Sequence, residues 1–551
     1  MDSDSSTDNF TSELQISKMP NDILDKIALY THNDKDIKNF ALVNKHFHRS
    51  PTVTVIRNIH LLCYVKGGRV YPNLTLVKPP SEEGAKSIIA STCHFHIKTL
   101  DMEVVPINFD DVNSIALIMN NTKLLHLVFS YCRMEIEALD VISSALPTST
   151  LISLDLNNAE VGVNGAKLIA SYLPQSSLES LDLSYTSLGA EGAKMIAKVL
   201  PHSTLTKLNL GGNKLGNAGV QAIATLLPHS MLTSLSLSYN DITSQVTREI
   251  VAIITQTKLT SLDLGWNALQ DEGIRIIAQV LPLHLSKLTS LNIGYNHFGD
   301  EGAIDIANVL PNTMLTSLNM ELNHINVEGA RAIADSLITS RLTMFNFYYN
   351  SIGTEGAIAI VKVLLGTMLT SLNLGYNSIG TEGAIAIAKV LPGTMLTSLN
   401  LENNIFDSEA VVEIFSVLAQ TSLTELNLHK NQFGDEAAKA IANVLPHTML
   451  TSLNLKECDM SIVGTYAIIS SLEKSKLLFL DVENNNLQYQ DVQECKKKVA
   501  MMKRDDFVLK IDSDSDCSNK NYKNSCDDDN DSTDSYESSA STPINKIIEN
   551  K

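Results

Sequence analysis

Hydrophobic residues in this chain recur on a 27-residue beat. In Leu369–Met395, LTSLNLGYNSIGTEGAIAIAKVLPGTM, the leucines at places 1, 4 and 6 (Leu369, Leu372, Leu374) line one side of a short extended segment. Asn377 follows at place 9, and Ile379 and Gly380 turn the chain. Ala384, Ile387, Ala388 and Leu391 then recur at i, i+3, i+4 and i+7, the apolar stripe of a helix that Pro392 ends. Each unit therefore predicts a strand, a turn, a helix and a return loop. The phrase begins again at Leu151, Leu178, Leu205, Leu232, Leu259, Leu288, Leu315, Leu342, Leu396, Leu423, Leu450 and Leu477. Weaker copies start at Ile97 and Leu124, making about fifteen units, and the unit from Leu259 is longer by two residues.

A fixed period of this size predicts an α/β solenoid in which stacking, not any single unit, closes the core. All strands run the same way, giving one parallel sheet. Strands stack about 4.8 Å apart whereas helices need roughly 8–10 Å, so the sheet takes the concave side and the helices the convex side. The consensus LxxLxLxxNxIGxEGAxAIAxxLP resembles the ribonuclease-inhibitor class of leucine-rich repeats from Ile97 to about Arg504. That resemblance implies a horseshoe, and a class that serves many unrelated partners.

The beat also says which residues belong to the fold. Place 9 is asparagine in nine consecutive units, Asn213 to Asn431. An asparagine just past a strand, inside the stack, can bond backbone groups that no sheet ladder satisfies, so it reads as structural. The glycines of GGNKLGNAG, Gly211 to Gly219, are locked to repeat positions and do not make a phosphate loop.

Outside the repeats the organisation predicted is a disordered start (1–12), a helical segment (13–60), a linker and entry cap (61–96) and a disordered acidic tail (505–551). Three helices are expected in the second: one after Met19-Pro20, one capped by Asp34, and one within Asn44–His60. Asn73 to Ser91 has the helix half of a unit but a poor strand. Asp491 to Arg504 is the expected last helix, with Lys496, Lys497 and Lys498 on its solvated face. From Ile511 onward ten acids face four lysines and aliphatics are few, a disordered composition in which Ser513 and Ser515 sit among aspartates.

The helical segment resembles an F-box. Met19-Pro20 matches that family's opening Leu-Pro, Ile23-Leu24 and Ile27 its aliphatics, Asp36-Ile37 its Asp-Leu step, and Leu42-Val43-Asn44-Lys45 the stretch that follows. Phe47 stands where most members have tryptophan. The resemblance implies docking to the Skp-type adaptor of a cullin–RING ubiquitin ligase through Met19, Pro20, Ile23, Leu24, Ile27, Ile37, Leu42, Val43 and Phe47. The plainer alternative is a helical cap over the first edge of the solenoid.

Charge and cysteines narrow the partners. A formal net charge of −19 argues against nucleic acid or an anionic membrane. Seven cysteines with no CxxC pair fit a reducing compartment. The N-terminus has no secretory h-region and no 18-residue apolar run occurs, so a soluble cytoplasmic protein is expected, with a nuclear place left open by the lysines. Cys93-His94-Phe95-His96 lacks a second ligand pair at usable spacing, so no metal or other cofactor is assigned.

On the strand and just past it, places 3, 5, 7 and 8 face the concave side. Place 3 is mostly serine and place 5 Asn or Asp; no nucleophile–base pair and no acid pair in a raised-pKa setting is evident, so no catalytic residue is assigned. Place 8 carries Tyr131, Tyr185, Tyr239, Trp266, Tyr295, Tyr349 and Tyr376, with Tyr348 beside one of them. Stacking turns that spacing into a line of aromatics along the concave rim, a surface suited to a protein ligand. Simple copying of GYN with the repeat is the alternative; Trp266, the one tryptophan, speaks against it. The function expected first is a substrate receptor presenting a bound protein to the ligase. A binding scaffold without a ligase link, similar to ribonuclease inhibitor or the sensing repeats of NLR proteins, comes second. A Ran-type GTPase activator comes last, since no arginine falls at concave places 3, 5, 7 or 8. F-box modules joined to such repeats also occur in bacterial effectors, which would put the chain in a host cytoplasm.

Overall fold

The computed structural model describes residues 59–66, 69–76, 85, 98–102, 107, 109–282, 286–502, 504 and 506–512. In the unit from Leu369 the strand is Ser371–Asn373 and the helix Gly380–Val390. Leu369, Leu372 and Leu374 are buried, as are Ile379, Ala384, Ile387, Ala388 and Leu391. The helix stops before Pro392, which lies inside a 3-10 turn, Leu391–Gly393, that hands the chain to the next strand. The EGA phrase has a packing cause. A Cβ on Gly383 would collide with Cγ2 of Ile379, the aliphatic four residues earlier that fills the turn.

Each strand pairs in parallel with its copy one unit on, as in Ser371↔Ser398, Leu372↔Leu399 and Asn373↔Asn400. The sheet has 18 strands. Successive helices pack on one another behind it, and one hydrophobic cluster runs from Ala85 to Ile511. The expected α/β leucine-rich-repeat solenoid with a parallel sheet is therefore what forms. Helix starts are tied across units by a device the consensus does not show. Asp271 Oδ1 accepts the backbone N–H groups of Gly299 and Gly302, and Asp300 Oδ1 those of Asn326 and Gly329. Each aspartate thereby caps the helix of the next repeat.

Both ends of the sheet differ from expectation. At the front, Ile59–Lys66 and Arg69–Leu76 form an antiparallel hairpin, with Ile59↔Leu76 and Lys66↔Arg69 in register. The second strand then joins the solenoid in parallel, Asn73↔Thr99 to Leu76↔Met102. Ile59 and His60 are thus strand and not the end of a third helix, and the linker from 61 is a sheet cap. The cause is visible in IHLLCYVK and RVYPNLTL, two apolar-rich runs separated by Gly67-Gly68, a two-residue hairpin spacing. The F-box-like positions Met19 to Phe47, residues 1–12, and Cys93 to His96 lie outside the described residues, as does the tail after Asp512.

At the back, the helix is Tyr489–Met501, and Lys496 and Lys497 are exposed on it as expected. The chain then returns as a last strand, Val508–Lys510, parallel to Phe479–Asp481, so order continues past residue 505. Val508 N–H donates to Leu478 O (2.8 Å), Val482 N–H to Lys510 O (2.9 Å), and Asp512 Oδ1 accepts Asn484 N–H (2.6 Å). Arg504 donates to the carbonyls of Leu472, Ser475 and Leu477, closing the final return loop. A chain ending at Arg504 loses three of these bonds at an otherwise open sheet edge. At about 1 kcal/mol each, it should be less stable by about 3 kcal/mol than a chain ending at Asp512 and should self-associate. Urea unfolding and light scattering on the two truncations measure this; equal midpoints would show that the last strand does not cap.

Candidate functional site

The inner surface is built from what the strand leaves over. Strand residues alternate half-buried, buried, half-buried at places 3, 4 and 5, so places 3 and 5 face outward from the core on the sheet side. Place 5 has a fixed duty: its side-chain oxygen accepts the place-7 N–H, as Asn292 does from Gly294 (2.9 Å) and Asp263 from Gly265 (3.0 Å). Place 9 is a ladder. Asn404 Oδ1 accepts N–H from Asn377 (3.0 Å) and Ile379 (3.3 Å) one unit earlier, while its Nδ2 donates to Leu374 O (2.9 Å) and Glu402 O (3.2 Å). The same bonds recur at Asn213, Asn240 and Asn267. The place-9 asparagines are buried, and their role is structural as the sequence implied.

Place 8 lies between these two, one residue past the place-7 N–H, and its backbone is left-handed. φ is +60° at Tyr131, +54° at Tyr185, +56° at Tyr239, +55° at Trp266, +49° at Tyr295, and +53° at both Tyr349 and Tyr376. The alternation of a strand would put places 7 and 8 on opposite faces; the left-handed residue turns place 8 back to the rim of the sheet side. Asn158, Asn403, Asn484 and Gly212 occupy the same place and conformation in other units. Asparagine and glycine suit that region at low cost, whereas bulky side chains there are uncommon. Seven units nevertheless hold an aromatic.

The structure brings most of these rings together. Tyr185 and Tyr239 are 5.8 Å apart, Tyr239 and Trp266 5.9 Å, and Trp266 and Tyr295 stack at 4.0 Å and 16°. Tyr185 and Tyr239 are two units apart and meet only because Gly212 stands between them. A Cβ there would lie 2.5 Å from Tyr185 Cδ1, so the ring covers the glycine. A second group follows: Tyr348 and Tyr376 at 5.1 Å and Tyr349 and Tyr376 at 5.3 Å. Leu322 at place 8 separates the two groups. Tyr131 has no ring contact with the row among the described residues. Tyr131, Tyr185, Tyr239 and Tyr349 are all close to half exposed or more, 45–61%.

Several neighbours have no binding role assigned from sequence, although Lys430, like Lys207 and Lys456, is a cation expected at a concave place. His297 extends the row sideways from Tyr295 (5.1 Å) to His324 (6.0 Å). Lys430, at place 8 itself, donates to the Tyr376 hydroxyl (2.9 Å), and that bond raises the lysine pKa. His429 lies between Glu402 (3.0 Å) and Glu457 (3.4 Å). Burial pushes the Glu457 carboxyl up, but the Asn484 amide and His429 outweigh it and hold it below its usual value. Burial raises the Tyr348 phenol, with Glu402 adding to it. The side chains of a sequence-distant pair are what the 27-residue spacing conceals here.

One expectation about acids needs correcting. Asp155 does sit in a raised-pKa setting: burial is the main cause, and Asp182, its partner in strand register, adds to it. Burial raises Asp263 as well. Their oxygens nonetheless serve the place-5 duty, Asp155 for Asn157 N–H and Asp182 for Ser184 N–H. Among the described residues no group of His, Cys, Asp and Glu is arranged to hold a metal, and no helix is long and apolar enough to cross a membrane.

With this geometry in hand, comparison with known proteins agrees on the repeat. A family model described as Leucine Rich repeat matches residues 175–197, 202–224, 229–245, 255–278, 284–307, 312–334, 367–388 and 419–442. No curated protein matches the chain. Among solved structures, an internalin of Listeria monocytogenes is 18% identical with a TM-score of 0.37, covering 64% of this chain and 95% of its own. The Rad7–Elc1 complex of yeast gives 15% identity and a TM-score of 0.40, covering 70% of this chain and 85% of that one. The likeness to both is one of fold alone.

Proposed function

We propose that this leucine-rich-repeat protein, a protein-binding scaffold, is a cytoplasmic receptor that holds a protein ligand against its aromatic rim and passes it to a Skp-type cullin–RING ubiquitin ligase. The observation that carries the binding half is the place-8 row. Tyr185, Tyr239, Trp266 and Tyr295 hold a left-handed backbone place that asparagine or glycine fills elsewhere in the same chain, and they stay in contact with one another. Side chains that a fold does not need, presented as rigid rings on a concave wall, are the ordinary anchors of protein interfaces. Leucine-rich-repeat proteins of this kind are in general non-enzymatic.

The ligase half rests on the F-box-like residues Met19, Pro20, Ile23, Leu24, Ile27, Ile37, Leu42, Val43 and Phe47. A helix-in-groove contact of that sort depends on a few exposed aliphatics. The intact chain, expressed with a Skp-type adaptor, should co-purify with it. Leu24→Asp, Ile27→Asp should abolish recovery while leaving the thermal unfolding of the repeats unchanged. An intact chain that recovers no adaptor ends the ligase reading and leaves a scaffold or sensor without that link, in which case partner lists from the intact chain and from one lacking residues 1–58 will coincide.

A further inference from the structure

The inner wall is electrostatically lopsided, and the imbalance describes its ligand. In the later repeats acids are answered inside the protein: Lys430 lies in the field of Glu457 and Glu402, and Lys456 is 3.6 Å from Glu483. In the earlier repeats Asp155, Asp182 and Asp263 form no ion pair among the described residues. Nothing in the fold asks them to be charged. Place 5 accepts the place-7 N–H, and Asn209, Asn292 and Asn373 do so at 3.0, 2.9 and 3.0 Å without a charge. The second oxygens of Asp182 and Asp263 take bonds from Asn209 Nδ2 and the Ser236 hydroxyl, both at 2.9 Å, neutral donors that leave each carboxylate without a counter-ion. Keeping aspartate there places like charges in adjacent strands at Asp155 and Asp182 and buries a carboxyl at Asp263 against its preference. From the Leu178 unit to the Leu288 unit this wall carries the rings of Tyr185, Tyr239, Trp266 and Tyr295 along its rim, tilted at the first two contacts and stacked at the last.

A face of aromatic rings beside unanswered carboxylates complements one chemistry. A guanidinium stacks flat on a tyrosine or tryptophan ring and turns its N–H edge to a carboxylate, and it is the most weakly hydrated protein cation. Resting on the reading of this wall as a protein-binding surface, we propose that its occupant is an extended, arginine-bearing segment of a partner polypeptide. The segment lies across the strands from Tyr185 to Tyr295, with its guanidinium groups between the rim rings and Asp182 and Asp263; Asp155 stands one strand beyond this stretch, at its N-terminal end. The four strand spacings from the Leu178 unit to the Leu288 unit span about 19 Å, so about six extended residues fill the site. A compact, folded partner or an acidic one would leave those aspartates unanswered.

Trp266 is the single tryptophan of the chain and sits within the row, so it reports on occupancy of this site alone. The probe is a six-residue peptide alternating arginine and serine, titrated into the full-length protein, with the matching glutamate–serine peptide as control. The arginine peptide should change Trp266 emission saturably and bind more weakly as salt rises, and the glutamate peptide should do neither. Asp182→Asn, Asp263→Asn should weaken binding about tenfold or more while the chain stays folded with Tm within a few degrees of the wild type, because the place-5 bond survives and the loss of the Asn209 and Ser236 bonds is offset by removal of the charge. If the arginine peptide leaves the emission unchanged, or the double asparagine variant binds it as well as the wild type does, the assignment falls; a peptide caught by the acidic tail would give that result. The broader reading fails differently. A protein partner whose capture needs Trp266 and Tyr295 but not Asp182 and Asp263 overturns the arginine assignment alone, whereas a chain with no partner that needs Trp266 and Tyr295 overturns both.

Discussion

Replacing Asn404 with alanine should cost about 3–5 kcal/mol of stability and unfold the later repeats first. Its Oδ1 is the acceptor for the N–H groups of Asn377 and Ile379, and both lie in buried backbone. Each buried N–H left without a partner costs about 1–3 kcal/mol, and the carbonyls of Leu374 and Glu402 lose a donor as well. In a solenoid each unit leans only on its neighbours, so the damage should spread from the interface between the units of Leu369 and Leu396 rather than dissolve the whole chain at once. The chain supplies its own milder control. Cys458 stands at place 9 one unit beyond Asn431, and its thiol donates to Leu428 O (3.3 Å) and Lys456 O (3.4 Å). Asn404→Cys should therefore fall between wild type and alanine. Urea unfolding gives the midpoints and amide exchange locates the opening; a midpoint for Asn404→Ala within experimental error of the wild type would show that the ladder is decoration.

That ladder was readable from sequence because a buried polar residue repeated at one place must have a partner repeated at the same spacing. The leucines of LxxLxL and the helix stripe were readable for the same reason, since period-2 and period-3.6 burial leave their marks on composition. What stayed hidden breaks the period. The left-handed backbone at Trp266 leaves no sign in a pattern whose commonest residue there is tyrosine; only Asn158, Gly212, Asn403 and Asn484, read as a set, point to it. The glycine under Tyr185 looked like a gap in the aromatic row and is the reason the row continues. The front hairpin carried an ordinary signal, Gly67-Gly68 between two apolar runs, that a search for further repeats passes over. At the other end Phe507 to Ile511 is short, and its strand exists because the edge of Phe479–Asp481 needs covering. Contacts such as His429 with Glu402 and Glu457 come from three different units and follow from stacking alone.

The rim aromatics can be removed without disturbing the fold, provided the replacement respects the backbone. Alanine would be a poor choice at Trp266, because φ there is +55° and a plain Cβ gains nothing from that region. Asparagine already holds the equivalent place at Asn158, Asn403 and Asn484 with φ of +57°, +46° and +54°. Trp266→Asn, Tyr295→Asn should therefore unfold within about 0.5 kcal/mol of the wild type, apart from the loss of the ring stack at 4.0 Å and of the ring contacts with Tyr239 and His297, together worth about 2–3 kcal/mol. Binding should respond on another scale. Central aromatic anchors each account for about 2–4 kcal/mol when truncated, and the two rings share one stack, so their losses overlap. An affinity drop of about a hundredfold to a thousandfold for whatever protein co-purifies with the intact chain is the expected result. Tyr131→Asn serves as the comparison, since Tyr131 is as exposed as any of the row yet has no ring contact with it among the described residues; it should change affinity by less than about fivefold. Surface plasmon resonance against the recovered partner separates these outcomes. If Tyr131→Asn costs as much as the Trp266 and Tyr295 pair, the ligand tracks the whole rim and stacking is not what selects its seat; if none of the three matters, the inner rim is not where this scaffold binds.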